Sequence, residues 1–179
     1  MRTDQTLIKF TMTYGLYLGL AFSAVVFVLN KFGKIHFPGD QMAVFNCLIL
    51  TFGMLVFGRK YRDQVFEGVF LYRSALSFAV LLSLFSAIIY AFFSYWYYLV
   101  LEPQGISYFI DQLRMAYSQN NAFSQDQVDS LIQLYQTTLT PGTMAFMVFF
   151  FQNIIGILIG LVLAVFIRTP FNLLNKENN

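Results

Sequence analysis

The residues of this chain that could do chemistry are few and scattered. There is one cysteine, Cys47, and one histidine, His36. A metal ion is usually held by three or four protein ligands, so several carboxylates would have to converge on His36, and we interpret it as a loop residue. Cys47 lies in an apolar stretch, cannot form an internal disulfide, and is interpreted as a packing residue. The sequence predicts no metal and no cofactor.

Enzymatic and ion-coupled activities also lack the residues they need. Serines occur in the apolar stretches without a neighbouring histidine or aspartate, whereas a nucleophilic serine requires an adjacent base. Ion-coupled transport commonly uses an ionisable residue within the membrane, and the longest apolar stretches contain no Asp, Glu, Lys or Arg. We therefore expect no catalytic residue, while a facilitator for an uncharged or small solute stays open.

The elements that carry these residues are four uncharged runs, at residues 10–29, 41–57, 74–101 and 143–167. At 1.5 Å per residue such runs can cross a hydrocarbon core of roughly 30 Å. The composition, 58% hydrophobic and 11% charged, is typical of a membrane protein. The sequence predicts an all-α integral membrane four-helix bundle in a single domain, residues 1–179, with a short amphipathic helical insert at 102–142. The first run is too long for a signal peptide and is interpreted as an uncleaved span.

The basic residues predict the orientation. Eight of the eleven precede the first run, lie between the second and third, or follow the fourth. They are Arg2, Lys9, Arg59, Lys60, Arg62, Arg73, Arg168 and Lys176. Because Lys and Arg concentrate on the cytoplasmic side, we expect both termini and the central loop there. The basic residues form no long run, so nucleic-acid binding is not expected.

Small residues recur every four positions in three of the runs. This spacing puts each set on one helix face, and in lipid such faces allow close approach of two backbones. The sets are Gly15, Gly19 and Ser23; Ala75, Ala79, Ser83, Ala87 and Ala91; and Gly156, Gly160 and Ala164. We expect tight helix packing through these ridges, either within one chain or between chains of a homo-oligomer.

Neutral polar side chains are sparse within the runs. Asn46, Gln152 and Asn153 are predicted to form hydrogen bonds between helices, and the alternative is a polar patch along a substrate path. At the end of the third run, seven aromatic residues between Tyr90 and Tyr98 are interpreted as a belt at the outer membrane surface, near Trp96.

Two polar regions are candidates for contact with lipid or a partner. The central loop begins Arg59-Lys60-Tyr61-Arg62, which is interpreted either as an orientation signal or as a contact with headgroups or a partner protein. In the insert, two stripes with i, i+3, i+4 spacing predict two amphipathic helices. Phe109 and Leu113 lie on the first stripe, and Ser124 with Gln127 has the spacing of a capping box at the start of the second. We expect the stripes to pack on each other, on the bilayer or on a partner.

Several short motifs resemble one family. Tyr61-Arg62-Asp63, the stretch from Ala87 to Phe92, Tyr97-Tyr98 and Glu102-Pro103 are similar to the core of the domain of unknown function 4199. The order of basic start, two spans, loop, aromatic third span, insert and glycine-rich last span resembles that family over nearly the whole chain. The resemblance implies a four-span bacterial inner-membrane protein and brings no known activity.

The sequence therefore favours a non-enzymatic membrane protein whose role is interaction or assembly. The alternative is a small permease or channel completed by oligomerisation. In either case the expected partners are the lipid bilayer and another membrane protein or a second copy of the chain.

The orientation can be tested with reporter fusions. We expect alkaline phosphatase fused after Asn179 to be inactive, because the positive-inside rule keeps that end in the cytoplasm. A label applied from outside is expected to reach a cysteine introduced at Gln119 in the insert. An active fusion, or an unreachable Gln119, would contradict the predicted topology.

Overall fold

The computed structural model describes residues 2–31, 40–65, 70–119 and 123–168. Within these ranges the chain is all-α, as predicted, and contains six α-helices. They are α1 (Arg2–Lys31), α2 (Asp40–Val65), α3 (Tyr72–Trp96), α4 (Gly105–Ser118), α5 (Gln125–Thr138) and α6 (Pro141–Ile167). A π-helical turn, Tyr97–Leu101, continues α3. Two residues on which predictions were made, His36 and Lys176, lie outside the described residues.

Four of the helices are long and apolar enough to cross a membrane. The candidate spans are Gln5–Lys31, Val44–Val65, Tyr72–Leu101 and Pro141–Ile167. Each is at least 22 residues long, which is about 33 Å at 1.5 Å per residue and covers the hydrocarbon core. Between the third and fourth spans, α4 and α5 form the predicted helical insert.

Helix α3 is the centre of the bundle. Gly15 and Gly19 on α1 lie against Phe85, Ser86 and Ile89 of α3, and a Cβ at either glycine would stand 2.6 Å from a side-chain carbon of α3. Gly15 meets Phe85 and Gly19 meets Ile89, so residue numbers rise in the same direction along both helices and α1 and α3 are parallel. With almost no space between the backbones, only glycine fits at these two positions.

A second face of α3 receives α6. Gly156 lies against Ser83, and a Cβ at Gly160 would stand 2.9 Å from the Cβ of Ala79. The pairing runs in opposite directions along the two helices, so α6 is antiparallel to α3. Ala79 and Ala87 are fully buried, and Ser23 of α1 is 6% exposed with its hydroxyl bonded to Gly19 O. All four glycine contacts lie within one chain.

Helix α2 closes the bundle between α1 and α6. Gly53 meets Leu18 of α1, and Gly58 meets Ile167 of α6. The core that results is apolar and continuous, and its fully buried members on α1, α2 and α3 include Phe22, Leu50, Met54, Phe78 and Leu82.

Two boundaries differ from those predicted. The span predicted at 41–57 continues as helix to Val65, so Arg59 to Arg62 lie on the last turns of α2 and not in a loop. The span predicted from Thr143 begins at Pro141, because Thr140 and Thr143 form a capping box and proline suits the first helical turn. In both cases local helix chemistry extends the helix beyond the uncharged run.

The glycine contacts make a stability prediction. Gly156→Ile or Gly160→Ile is expected to destabilise the folded bundle by about 1–3 kcal/mol, because the added side chain must displace Ser83 or Ala79. Leu158→Ile is the control, since Leu158 is 59% exposed on the lipid-facing side of the same helix. Thermal melting in detergent measures the difference. Equal melting temperatures for the three variants would show that this packing does not hold the bundle.

Candidate functional site

The basic residues of α2 join three helices at one end of the bundle. Lys60 on α2 places its ammonium group 5.1 Å from the ring centroid of Tyr14 on α1. Arg62 forms a 2.8 Å ion pair with Asp63 and donates a 3.4 Å hydrogen bond to the carbonyl of Ile167 at the end of α6. Arg59 and Lys60 are exposed, and Arg62 is half-buried. These contacts tie the ends of α1, α2 and α6 together beneath an exposed basic surface.

Tyr61 does not belong to that surface. It was predicted as a headgroup or partner contact, but it is 1% exposed. Its ring stacks on Phe78 of α3 at 5.2 Å and lies 4.9 Å from Phe10 of α1. The prediction was wrong for this residue, because α2 continues as a helix through position 61 and turns the side chain inward while Arg59 and Lys60 point outward.

The opposite end of the bundle is closed by a polar cluster. Asn30, near the end of α1, donates hydrogen bonds to Glu102 Oε2 and, at 2.6 Å, to the Tyr97 hydroxyl. The Tyr97 hydroxyl in turn donates to Glu102 Oε2 at 3.0 Å. The π-helical turn brings Glu102 back toward Tyr97, since its amide bonds Tyr97 O. This cluster fastens α1 to α3, and sequence reasoning missed it.

The two polar ends are a membrane thickness apart. Lys9 and Asn30 are 21 residues apart on one helix, about 31 Å at 1.5 Å per residue. The hydrocarbon core is roughly 30 Å thick. The side chains between these levels, at the surface of the bundle, are largely apolar, so the basic end and the Asn30 cluster mark the two interfaces.

The polar side chains inside the spans behave differently from one another. Asn46 of α2 donates a 3.4 Å hydrogen bond to the Tyr90 hydroxyl of α3, as predicted for a contact between helices. Asn153 instead bonds Phe149 O of its own helix. Gln152 accepts from the Ser83 hydroxyl through its backbone carbonyl. Its side-chain Nε2, like Asn46 Oδ1, is buried without a hydrogen-bond partner among the described residues.

The aromatic belt is only partly at the surface. Phe92, Tyr95 and Trp96 are exposed by 76%, 43% and 44% and are placed to contact lipid at the interface. Tyr90, Tyr97 and Tyr98 are buried in the bundle. The prediction that all seven rings anchor the helix was wrong, because a helix turns consecutive residues to different sides and the inner side of α3 faces its neighbours.

The insert forms a helical cap, α4 and α5, that packs on itself. The Tyr117 and Tyr135 rings stack at 6.4 Å and their hydroxyls are 3.2 Å apart. This hydrogen bond raises the pKa of Tyr135. Arg114 and Asp129 form a 3.2 Å ion pair between the two helices. The Ser124 and Gln127 capping box is present as predicted.

The inner stripes of the cap join the core. Val128 and Ile132 of α5 are 1% exposed, and Phe109 and Leu113 of α4 are half-buried against them and the rest of the core. Of the three expected arrangements, packing of the two stripes on each other agrees with this structure. Phe109 and Leu113 therefore offer little surface to a partner, and the exposed apolar residues of the cap are others, Tyr108, Met115 and Leu134.

Two signals in the sequence could have found the Asn30 cluster. Asn30 follows the last apolar residue of the first span and Glu102 follows that of the third, so a parallel pair of spans brings both to one interface. Within the described residues, no group of three or more His, Cys, Asp or Glu side chains is placed to hold a metal ion.

The architecture defines the class of protein, a multi-pass integral membrane protein with a four-helix bundle and a helical cap. Residues 13–169 match the family described as "Protein of unknown function (DUF4199)". The chain belongs to this family, as its motifs had indicated. No curated protein and no solved structure matches the chain.

The hydrogen bonds of the Asn30 cluster predict that Asn30 and Glu102 contribute jointly to the free energy of unfolding. Asn30→Ala and Glu102→Ala should each lower the free energy of unfolding. The double variant should lower it by less than the sum of the two single effects, by at least about 0.5 kcal/mol, because both changes remove the same hydrogen bond. Denaturation in detergent gives the three free energies of unfolding. Asn153→Ala combined with Glu102→Ala is the control and should be additive, since Asn153 bonds its own helix. Additivity in the Asn30 cycle would mean that the cluster does not fasten α1 to α3.

Proposed function

We propose that this protein is a non-enzymatic component of the bacterial inner membrane that acts by binding other membrane components and assembling with them. Its membrane helices form a rigid base, and its outer cap carries the surface that a partner protein or a second copy recognises. Both termini and the basic end of the bundle face the cytoplasm. The family resemblance supports the bacterial inner membrane, and the gathering of Lys9, Arg59, Lys60 and Arg168 at one end supports the orientation.

The filled interior of the bundle is the observation that carries this proposal. Helix α3 is packed on α1 and α6 through glycine contacts, and Ala75, Phe78, Ala79, Leu82 and Ser83 are all fully buried. A chain that transports alone needs space between its helices, whereas here side chains and backbones occupy it. The spans are therefore suited to presenting a surface.

The cap is the proposed contact surface because it leaves apolar side chains exposed beyond the membrane. Tyr108 and Met115 of α4 are 43% and 50% exposed, and their separation of seven residues puts them on one helix face. Leu134 of α5 is 58% exposed. Aromatic residues and methionine are enriched at protein interfaces, and the inner stripes of the cap are already engaged in the core.

A photo-crosslinking experiment tests the cap. A photoreactive phenylalanine analogue at position 108 of the full chain, in native membranes, should give a discrete adduct whose mass identifies a second copy or another membrane protein. The matched control is position 133, an exposed residue on the polar face of α5. Met115→Ser should lower adduct formation from an analogue placed at Gln112, one turn after Tyr108 on the same helix face, at least fivefold without changing the melting temperature. Equal labelling from positions 108 and 133 would contradict the proposal.

The second candidate is an oligomeric permease for an uncharged or small solute, and it has one observation in its favour. Gln152 is 3% exposed, and its amide nitrogen has no hydrogen-bond partner among the described residues. Leu50, one turn from Asn46, lies against Gly156, one turn from Gln152. Two incompletely paired amides thus occupy neighbouring turns of α2 and α6, where a polar solute could bind.

Replacing Gln152 separates the two candidates. If its role is structural, Gln152→Leu should raise the melting temperature, because burying an unpaired amide costs about 1–3 kcal/mol. Glycerol flux into proteoliposomes should then equal that of empty liposomes for both wild type and variant. Asn153→Leu is the control and should not stabilise, since it removes the bond to Phe149 O. Glycerol flux that is present in wild type and lost in Gln152→Leu would favour the permease.

A further inference from the structure

A groove on the outside of the bundle, between α1 and α3 near the basic end, is lined by Leu7, Ile8, Leu76, Ser77, Val80 and Leu81 and has a volume of about 540 Å³. We propose that it binds one acyl chain of an anionic phospholipid, whose headgroup is held by Lys9 and Arg73. This site is independent of the cap and concerns a lipid ligand rather than a protein partner.

The groove exists because the glycine contacts of α1 stop short of this end. Gly15 and Gly19 bring the backbones of α1 and α3 together. Two turns nearer the basic end, α1 carries Leu7 and Ile8 instead, and Ile8 is 48% exposed. Larger side chains on both helices hold the walls apart and leave the groove open toward lipid.

The lining fixes the chemistry of the occupant. Five of the six lining residues are aliphatic, and the only polar one is Ser77. Such a surface gives a polar solute or a peptide backbone too few hydrogen-bond partners, whereas a hydrocarbon chain needs none. The volume lies within the roughly 300–1,000 Å³ of sites for small ligands.

The charge beside the groove selects the headgroup. Lys9 follows the lining residue Ile8, and Arg73 precedes Leu76 and Ser77 by three and four residues, which puts it on the same face of α3 one turn nearer the end. Both cations are exposed. Lys9 lies about 31 Å from Asn30 along α1 and therefore at the level of the membrane interface, where the phosphate group of a lipid in the groove would lie. Cations at this level attract anionic headgroups.

The test uses the purified full chain in detergent and two lipids with identical acyl chains, a phosphatidylglycerol and a phosphatidylcholine. Native mass spectrometry counts bound lipids, and titration gives their affinities. We expect the phosphatidylglycerol to bind more tightly, and Lys9→Gln and Arg73→Gln each to lower that preference about fivefold. Lys31→Gln, at the opposite end of α1, is the charge control and should leave the preference unchanged.

The groove itself is tested with Val80→Trp, which should fill it and lower binding of both lipids. Val162→Trp is the matched control, because Val162 is 60% exposed on α6 at a similar depth and does not line the groove. If Val80→Trp does not fold, the charge variants still decide, since they leave the lining intact. Equal affinity for the two lipids, or equal effects of Arg73→Gln and Lys31→Gln, would overturn the proposal. A dimer that is lost only in Val80→Trp would overturn it in favour of a second copy in the groove.

Discussion

The contact of α3 with both α1 and α6 at backbone distance is the constraint on which the rest of the structure depends. In lipid the hydrophobic effect gives helices little reason to associate, so close van der Waals contact and hydrogen bonds hold them together. At Gly15 and Gly19 on one side, and Gly156 and Gly160 on the other, α3 meets its neighbours with no room for a Cβ. These contacts fix which helices are neighbours and which run parallel, and the positions of both polar ends follow from them.

The parallel arrangement of α1 and α3 explains the Asn30 cluster. Since both helices run toward the same interface, Asn30 at the end of one meets Tyr97 and Glu102 at the end of the other. At the opposite interface, Lys60 of α2 lies over the Tyr14 ring of α1, and Arg62 of α2 donates a hydrogen bond to the Ile167 carbonyl of α6. Each end of the bundle thus carries polar side chains. The length of α1 between Lys9 and Asn30 is close to the thickness of the hydrocarbon core.

The same packing divides the surface into regions with different uses. Where glycine brings the backbones together, the interior is filled and the spans serve as a base for the cap. Where the glycines stop, α1 and α3 leave the groove beside Lys9 and Arg73. The cap uses its inner apolar stripes on itself and the core, and it leaves Tyr108, Met115 and Leu134 exposed. The proposed lipid groove and the proposed partner surface therefore lie at separate places on the molecule.

The sequence by itself determined the number of spans, the all-α class, the insert with its capping box and the family, because uncharged runs, four-residue spacing and capping residues act locally along the chain. The partners of each glycine ridge, the inward position of Tyr61, Tyr97 and Tyr98, and the cluster at Asn30 were decided only by the tertiary structure. A helix face that contacts lipid and one that contacts another helix are both apolar, so the sequence does not distinguish them. Which of the two a face meets depends on how the helices are arranged around α3, and residues as far apart as Asn30 and Glu102 meet only once that arrangement is set.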